Sequence, residues 1–354
     1  MNEKVAIITD THWGIRNDNL SFLEHNKKFL DEVFFPEIEK QKIQHIIHLG
    51  DLTDRQKYIN WNTAHHLKED FVQPIIDKNL KLTITIGNHD TYWKNSNYVN
   101  SINNLYGFVD AIDIIEKPIE KDFFGTKVLL MPWICKKTEE ASFDLIKNTD
   151  SQILMGHLEI SGFEMYKGVH HQDGLDPHIL DKFDTVFSGH FHHKSSSKNI
   201  HYLGSHAQFT WSDYGDERGF HIFDFKNREL TFVKNPYETF KKYVYDDSIM
   251  DTSDVVNFKT EEFNDCYVKV IVRNKNNSFL YDSIIDKLEN SGAIDIKSVD
   301  DNLHIDTIEA DDIINEAEDT ITIIKNEIYK TKSGDLKSIE KNMISLYEEA
   351  LTLE

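Results

Sequence analysis

The sequence has few cysteines and no long apolar run. Its two cysteines, Cys135 and Cys266, do not form a CxxC pair, so we expect no disulfide framework and a reducing, cytoplasmic environment. No apolar segment approaches the ~20 residues that span a bilayer. The N-terminus lacks the basic and apolar regions of a secretory signal. These absences predict a cytoplasmic protein that does not bind membranes.

Basic side chains are also scarce relative to acidic ones. The 354 residues include 39 Lys and Arg against 61 Asp and Glu, which gives a formal net charge of −22. Phosphate neutralisation supplies most non-specific affinity for nucleic acid, so this charge is poorly suited to holding DNA unaided. Bound divalent cations, or a partner with a basic surface, would ease that difficulty.

The first 235 residues alternate short β-rich runs with longer segments of helical spacing, Phe22–Lys42 and Trp61–Lys78. This alternation predicts parallel βαβ units, and the closely spaced later strands predict antiparallel pairing. The expected fold is α/β, a two-sheet sandwich flanked by helices. The predicted strands are Val5–Ile8, Ile46–Leu49, Leu82–Ile86, Lys127–Met131, Gln152–Met155, Thr185–Phe187, Ile200–Leu203, Gly219–Phe225 and Glu229–Lys234.

Two smaller parts follow a predicted boundary near Asn235-Pro236-Tyr237. Residues 239–306 form a small α+β capping module, with strands at Cys266–Val272 and Ile294–Val299 and a helix at Ser278–Asn290. Residues 307–354 contain only helix-forming runs with an amphipathic stripe. This helical tail either packs on the protein's own core or docks a partner. The predicted domains are therefore residues 1–238, 239–306 and 307–354.

Five short motifs carry candidate ligand side chains, and four of the five directly follow a predicted strand. The carboxyl ends of strands in an α/β sheet converge on one edge, so these motifs can build a single site. Carboxylate, imidazole and amide oxygen together suit Mn²⁺, Fe²⁺ or Zn²⁺ better than Ca²⁺. The motifs are Asp10-Thr11-His12, Gly50-Asp51, Gly87-Asn88-His89-Asp90, Gly156-His157 and Gly189-His190-Phe191-His192.

Each motif is weak evidence by itself. A DxH triplet is common by chance, and a GD or GNHD string is often only a turn. Their order along one chain supports the hypothesis of a two-metal site, in which one carboxylate, Asp51, bridges ions ~3.5–4 Å apart. We expect eight of the other histidines to be structural or exposed: His45, His65, His66, His170, His171, His201, His206 and His221.

The ordered set resembles the calcineurin-like metallophosphoesterase superfamily over residues 10–192. Within it, the chain is similar to the SbcD-type nuclease subunits of DNA double-strand-break repair complexes, and among these to the phage recombination endonuclease subunit. The likeness also rests on Met131-Pro132-Trp133, on Gly156-His157-Leu158-Glu159 followed by Gly162-Phe163, and on Arg218-Gly219-Phe220.

The resemblance implies a role for each motif residue. It assigns Asp10, His12 and His192 to one metal ion and Asn88, His157 and His190 to the other, with Asp51 as the bridge. It assigns His89 to orient or protonate the leaving oxygen as general acid.

The resemblance also implies a function and partners. It implies a Mn²⁺-dependent DNA exonuclease and single-strand endonuclease of recombination and repair, bound through its C-terminal helices to an SbcC-like coiled-coil ATPase. A homodimer is expected as well, and a phage protein of this kind would act in the host cytoplasm.

One departure from the repair nucleases lies after Asp51. They carry a second histidine where this chain has Asp54, and the string GDLTDR resembles Ser/Thr protein phosphatases, in which the arginine binds phosphate. Arg55 is therefore a candidate substrate-binding residue. The alternatives are a phosphomonoesterase or protein phosphatase on the same fold, and a non-catalytic binding subunit.

Overall fold

Two six-stranded sheets form the framework of residues 3–234, with helices and loops between the strands. The structure is a computed structural model that describes residues 3–166 and 168–300, together with Ile339 and Met343. The chain divides into two compact units, Met1–Asp300 and Asp301–Glu354. Apart from Ile339 and Met343, the tail predicted over residues 307–354 lies outside the described residues, and the predicted domain boundaries remain predictions.

The first sheet combines parallel and antiparallel pairing. Its strand Lys4–Ile8 runs parallel to His45–His48 and antiparallel to Gly219–Asp224. The following strands of the sheet continue in parallel, as strand–helix–strand repetition predicts. In spatial order the strands are Glu229–Lys234, Gly219–Asp224, Lys4–Ile8, His45–His48, Lys81–Thr85 and Ile112–Ile115.

The second sheet is parallel at its centre and antiparallel at both edges. Thr185–Gly189 runs parallel to Ile153–His157, which runs parallel to Thr126–Met131. In spatial order the strands are Ser195–Ser197, Ile200–Tyr202, Thr185–Gly189, Ile153–His157, Thr126–Met131 and Ile119–Phe123. The predicted two-sheet α/β fold is confirmed.

Both faces of the central strands are buried. Val5 and Ile7 join the cluster between the two sheets, whereas Ala6 and Ile8 join the cluster under the helices. A strand buried on both faces becomes a continuous apolar run, which explains why the sequence of this strand shows no alternation of apolar and polar residues.

Two outer helices each contain a wide π turn immediately before an α segment that begins near a proline. A proline has no N–H and its ring clashes with the preceding turn, so a local change of helix type accommodates Pro36 and Pro74. The segments are Leu20–Phe29, Leu30–Phe34 and Phe35–Gln41 in the first helix, and Trp61–His66, Leu67–Val72 and Gln73–Asp77 in the second.

The remaining short elements were mostly not predicted. They contain many polar residues and lack a clear period, so tertiary contacts rather than local pattern define them. The helices and helical turns are Ile15–Asp18, Ser101–Tyr106, Glu139–Asn148, Pro177–Leu180 and Trp211–Asp213, and two hairpins pair Thr91–Trp93 with Ser96–Asn100 and Glu164–Tyr166 with Val169–His170.

The capping module contains a three-stranded parallel sheet. Two of its strands, Tyr267–Asn274 and Asp295–Asp300, were predicted, but the third, Phe240–Asp246, was missed. Leu280, Ile284 and Leu288 of the predicted helix, observed as Ser278–Glu289, lie in the buried core of this module. Short helical turns at Thr252–Val256 and Glu261–Phe263 complete it.

Contacts between aromatic side chains attach the capping module to the rest of the unit. Phe240 packs in one cluster with Phe22 and Phe209, and Tyr267 and Trp211 pack against it. Gln208 Oε1 accepts hydrogen bonds from the main-chain N–H groups of residues 239 and 240, at 3.0 and 3.1 Å. The loop around Phe209 therefore holds the start of the module's first strand.

Within residues 3–166 and 168–300, no helix is both long enough and apolar enough to cross a membrane.

Replacing His221 with Phe should weaken the acid sensitivity of the fold. Burial lowers the pKa of His221 to about 3 from an unfolded value of 6.5. The folded state therefore favours the neutral ring, and the stability it contributes is present above pH 6.5 and lost as the pH falls towards 3. Between pH 7 and 5 the wild type should lose about 2 kcal/mol more unfolding free energy than H221F.

Urea unfolding with a chelator present would measure this difference. The exposed His65 provides the control, because H65Q should follow the wild type at every pH. If the unfolding free energies of H221F and the wild type fell equally between pH 7 and 5, the prediction would be wrong.

Candidate metal centre

The five predicted motifs meet where the carboxyl ends of both sheets come together. Asp10 and His12 follow Lys4–Ile8, and the remaining motif residues also lie at strand ends. Asp51 follows His45–His48 and Asn88 follows Lys81–Thr85 in the first sheet, whereas His157 ends Ile153–His157 and His190 follows Thr185–Gly189 in the second.

The backbone is strained at four of these positions. Asp10, His12, Asp51 and His190 have φ values of 51°, 42°, 55° and 89°. Non-glycine residues seldom adopt this left-handed region, and such residues concentrate at functional sites. All four of these strained residues are candidate metal ligands.

Gly50 permits the close approach of the two sheets. Its φ is 94°, and a Cβ at this position would lie 2.6 Å from His157 Nδ1 and 2.9 Å from the Cα of Gly87. Neither atom can move easily, because one belongs to a buried side chain and the other to the main chain. Only glycine is compatible with this junction.

The first group of candidate ligands comprises Asp10, His12 and His192, whose ligand atoms lie within 4.8 Å of one another. The Nε2 atoms of His12 and His192 are 2.9 Å apart. Asp51 Oδ2 lies 3.8 Å from His12 Nε2. Two imidazole nitrogens and nearby carboxylates thus face one point.

The second group contains Asp51, His157 and His190, again within 4.8 Å. Asn88 Oδ1 joins them, at 2.8 Å from His157 Nε2 and 3.1 Å from His190 Nδ1. His157 Nδ1 lies 2.8 Å from the carbonyl oxygen of Leu49 and donates to it. Nε2 therefore faces these oxygens, and either a proton or a metal ion on this nitrogen would satisfy them.

Asp51 lies between the two groups. Its Oδ1 accepts a hydrogen bond from the N–H of His89 at 2.8 Å. Its Oδ2 is buried and has no hydrogen-bond partner, although His157 Nε2 lies 3.2 Å away. An unpaired buried carboxylate oxygen is costly unless a cation binds it.

The electrostatics of the site favour the charged carboxylate of Asp51. Burial alone would raise its pKa, but the imidazoles of His157, His89 and His12 together lower that pKa well below its usual range. Burial would likewise lower the pKa of His157, yet Asp51 and Asp10 raise it to about 9. Burial raises the pKa of Asp10. Positive charge near His157 is therefore strongly favoured.

The donor set fits two divalent cations. The Oδ2 atom of Asp51 is buried without a hydrogen-bond partner and lies 3.2 Å from His157 Nε2, and each group also offers imidazole nitrogens. Mixed carboxylate, imidazole and amide donors suit transition metals such as Mn²⁺ or Zn²⁺.

Comparison with known proteins places the chain in a family. Residues 3–194 match the family described as calcineurin-like phosphoesterase. The chain belongs to the calcineurin-like phosphoesterase family. The resemblance expected from the five motifs is thus confirmed, and the protein is a phosphoesterase.

Curated relatives extend this match. The phosphoesterase is 31% identical to exonuclease subunit 1 of Enterobacteria phage T4 over 235 residues, which are 66% of this chain and 68% of that protein. It is 25% identical to a subunit of the nuclease SbcCD from Staphylococcus epidermidis over 259 residues, 65% of this chain and 69% of the relative. A solved archaeal phosphodiesterase aligns with 66% of this chain and 99% of its own, with 12% identity and a TM-score of 0.33.

His89 lies beside the two groups rather than in them. Its Nδ1 is 2.6 Å from the carbonyl oxygen of Asp54, and its ring centroid is 4.8 Å from that of His12. Because Nδ1 donates to this carbonyl, the Nε2 nitrogen is the one that can exchange a proton with a substrate.

Asp54, the residue that departs from the repair nucleases, contacts two residues of the phosphoesterase site. Its Oδ1 lies 3.3 Å from His12 Nδ1, and its main-chain carbonyl fixes His89. A carboxylate beside one ring nitrogen of a ligand histidine keeps the proton on that nitrogen and leaves the opposite nitrogen free to bind the metal. His12 Nε2 is the nitrogen that faces His192.

Arg55 is paired away from both groups. Its guanidinium binds Asp18 Oδ2 at 2.6 Å and Asn17 Oδ1 at 2.9 Å, and it lies over the ring of Tyr58. A contact between Arg55 and a substrate phosphate would compete with the ion pair to Asp18, and this predicted role remains a prediction.

Asp90 is an organising residue that sequence reasoning did not single out. It accepts hydrogen bonds from the N–H groups of Asp51, Thr53 and Gly87 at 2.9 to 3.0 Å. Burial and the charge of Asp51 raise the pKa of Asp90 to about 6. Its place as the last residue of the GNHD motif was the available signal.

Phe209 packs against the first group. Its ring centroid lies 5.8 Å from that of His12 and 5.7 Å from that of His192. Phe209 therefore contacts both the candidate ligands and the cluster that holds the capping module.

Asp54→Ala should weaken metal binding at the first group about 10- to 100-fold, because His12 loses the carboxylate that orients it. Calorimetric titration of the metal-free protein with Mn²⁺ would measure both binding events, and the second should be little changed. The exposed Asp110, which precedes a strand at the opposite edge of the sheet, supplies the control D110A. Unaltered Mn²⁺ affinity in D54A would refute this role.

Asp90→Ala should lower the unfolding free energy by about 3 kcal/mol, because three buried N–H groups lose their acceptor. Asp90→Asn keeps one carbonyl oxygen and should cost clearly less. Urea unfolding of both variants without metal would test this, and equal stabilities for the two would count against the prediction.

Proposed function

We propose that this phosphoesterase is a Mn²⁺-dependent DNA nuclease that removes nucleotides from duplex ends and nicks single strands. We further propose that it acts in recombination and double-strand-break repair as the nuclease component of a complex with an SbcC-like coiled-coil ATPase. The observation that carries the proposal is the pair of candidate ligand groups joined by Asp51, in a chain whose relatives are named as exonuclease and SbcCD nuclease subunits.

The candidate ligands divide between two metal ions. Asp10, His12 and His192 would hold one ion, whereas Asn88, His157 and His190 would hold the other, with Asp51 between them. Two ions there would activate water for attack and offset the charge that develops on the phosphoryl group.

His89 is proposed as the general acid. Hydrolysis joins the oxygen of water to phosphorus and breaks the bond from phosphorus to the sugar oxygen, which must then take up a proton. His89 is held by the carbonyl of Asp54 and by Asp51 Oδ1, so its position is fixed relative to the bridge. A positioned histidine in this role contributes about 10²- to 10⁴-fold.

A row of lysines on the capping module supports DNA as the substrate. Lys242, Lys269 and Lys297 are in register across the three parallel strands. Lys242 and Lys297 are exposed, whereas Lys269 is buried between them, so the two outer lysines are the part of the row that a DNA phosphate could reach. Lys269 also lies over the ring of Trp211, two residues beyond Phe209, which contacts the first group.

A partner would supply the basic surface that a chain with a net charge of −22 lacks. We propose that residues 307–354 dock the ATPase, whose basic surface would help to hold DNA, and that the nuclease forms a homodimer in the cytoplasm, or in the host cytoplasm for a phage protein. Packing of the tail on the protein's own core is the alternative.

His89→Ala should abolish most DNA cleavage but affect an activated substrate much less. A p-nitrophenyl leaving group needs no proton, so loss of a general acid should cost about 10²- to 10⁴-fold on end-labelled duplex DNA and far less on thymidine 5′-p-nitrophenyl phosphate. The exposed His65 provides the control variant H65A. Both assays would use Mn²⁺, with a chelator as the blank.

Three results would contradict the proposal in different ways. Brisk hydrolysis of p-nitrophenyl phosphate with inert DNA would indicate a phosphomonoesterase. Equal losses on both diester substrates would remove His89 from the role of general acid. Inactivity on every substrate, even with the ATPase present, would indicate a non-catalytic subunit.

A further inference from the structure

A cavity of about 530 Å³ opens beside the second group of candidate ligands. His157 belongs both to its lining and to that group. The rest of the wall comes from the segment after strand Thr126–Met131, from helix Glu139–Asn148 and from the segment around Leu175. The cavity is thus continuous with the place where a phosphate would bind.

Aromatic and aliphatic side chains form its walls. Trp133 lies at the inner end, with its ring centroid 5.2 Å from that of His190 and 6.1 Å from that of His157. Leu158 and Leu175 also line the cavity. Phe143 lines the cavity and is 37% exposed, although it belongs to a helix that buries Ile146 in the core.

The segment that carries Trp133 is fixed from both sides. The main-chain N–H of Trp133 donates to the carbonyl of Ile86 at 2.7 Å. The side-chain amide of Asn97 donates to the main-chain carbonyl of Trp133 at 2.8 Å. Both partners come from the chain next to the GNHD motif. The aromatic wall is therefore held at a constant distance from the candidate ligands, which is what recognition of a rigid ligand requires.

The charges of the lining disfavour a second phosphate within the cavity. Apart from the candidate ligand His157, Lys136 is the one basic residue among the described residues of the wall, which also contains Glu139 and Glu159. An uncharged, flat and partly apolar group suits these walls better than an anion. Nucleobases are such groups, and they stack on aromatic side chains without sequence preference.

We propose that this cavity binds the nucleoside joined to the scissile phosphate, with its base against Trp133 and Phe143. This inference rests on the proposed nuclease function, because the candidate metal ions would place the phosphate next to His157. The volume lies in the range of pockets that enclose a small ligand of this size. Since stacking tolerates any base, the cavity would allow cleavage without sequence specificity.

Binding of deoxynucleoside monophosphates in the presence of Mn²⁺ tests the proposal without turnover. The 3′- and 5′-monophosphates of deoxyadenosine would be titrated calorimetrically beside the 3′- and 5′-phosphates of deoxyribose, which lack the base. Either the 3′- or the 5′-monophosphate of deoxyadenosine should bind the wild type about 10-fold more tightly than the sugar phosphate with the phosphate at the same position.

Phe143→Ala should remove most of this 10-fold advantage and leave the sugar phosphates unchanged. Phe143→Trp should restore it, because it retains a flat ring. Phe108, which is 81% exposed and does not line the cavity, provides the control F108A. Trp133 is less suitable for substitution because its ring contacts two candidate ligands.

The outcomes separate this proposal from the nuclease function. Equal affinity for nucleotide and sugar phosphate, or unaltered nucleotide affinity in F143A, would overturn the nucleoside cavity even if DNA is cleaved. Base-dependent affinity that F143A lowers, in a protein that leaves DNA intact, would support the cavity and reject the nuclease.

Discussion

The buried carboxylate of Asp51 is the constraint on which the rest of the site depends. A buried negative charge is tolerated only when neighbouring groups compensate it. Here the N–H of His89 binds one oxygen, the imidazoles around the other hold its pKa low, and Asp90 anchors the main chain of Asp51 itself. The left-handed backbone at Asp51 and the missing side chain at Gly50 follow from bringing this carboxylate between two sheets.

Much of the candidate site could be predicted because its residues occupy strand ends, where the sequence changes from an apolar run to a polar motif. The contribution of Asp90 was missed, because a residue that binds mainly main-chain N–H groups looks like any turn aspartate in the sequence. The position of Asp54 behind His12 depends on two segments about 40 residues apart in the sequence. No local pattern reports such a contact.

In the fold, too, the elements with a clear local sequence pattern could be predicted and those that depend on distant contacts could not. Central strands such as Lys4–Ile8 and His45–His48 are recognisable because both faces are buried around β-branched residues such as Ile7, Ile46 and Ile47. Phe240–Asp246 was missed because its lysines and tyrosines alternate less clearly, and its pairing with Tyr267–Asn274 crosses a long connection. The hairpin Thr91–Trp93 with Ser96–Asn100 was missed although Thr, Tyr and Trp favour strands, because its strands have only three and five residues.

Phe209 joins two parts of the protein that the sequence presents as separate. Its ring touches His12 and His192, and it belongs to the cluster that includes Phe240 of the capping module. Close-packed side chains transmit displacement instead of absorbing it. A rotation of the capping module would therefore displace the imidazoles of His12 and His192 through the ring of Phe209.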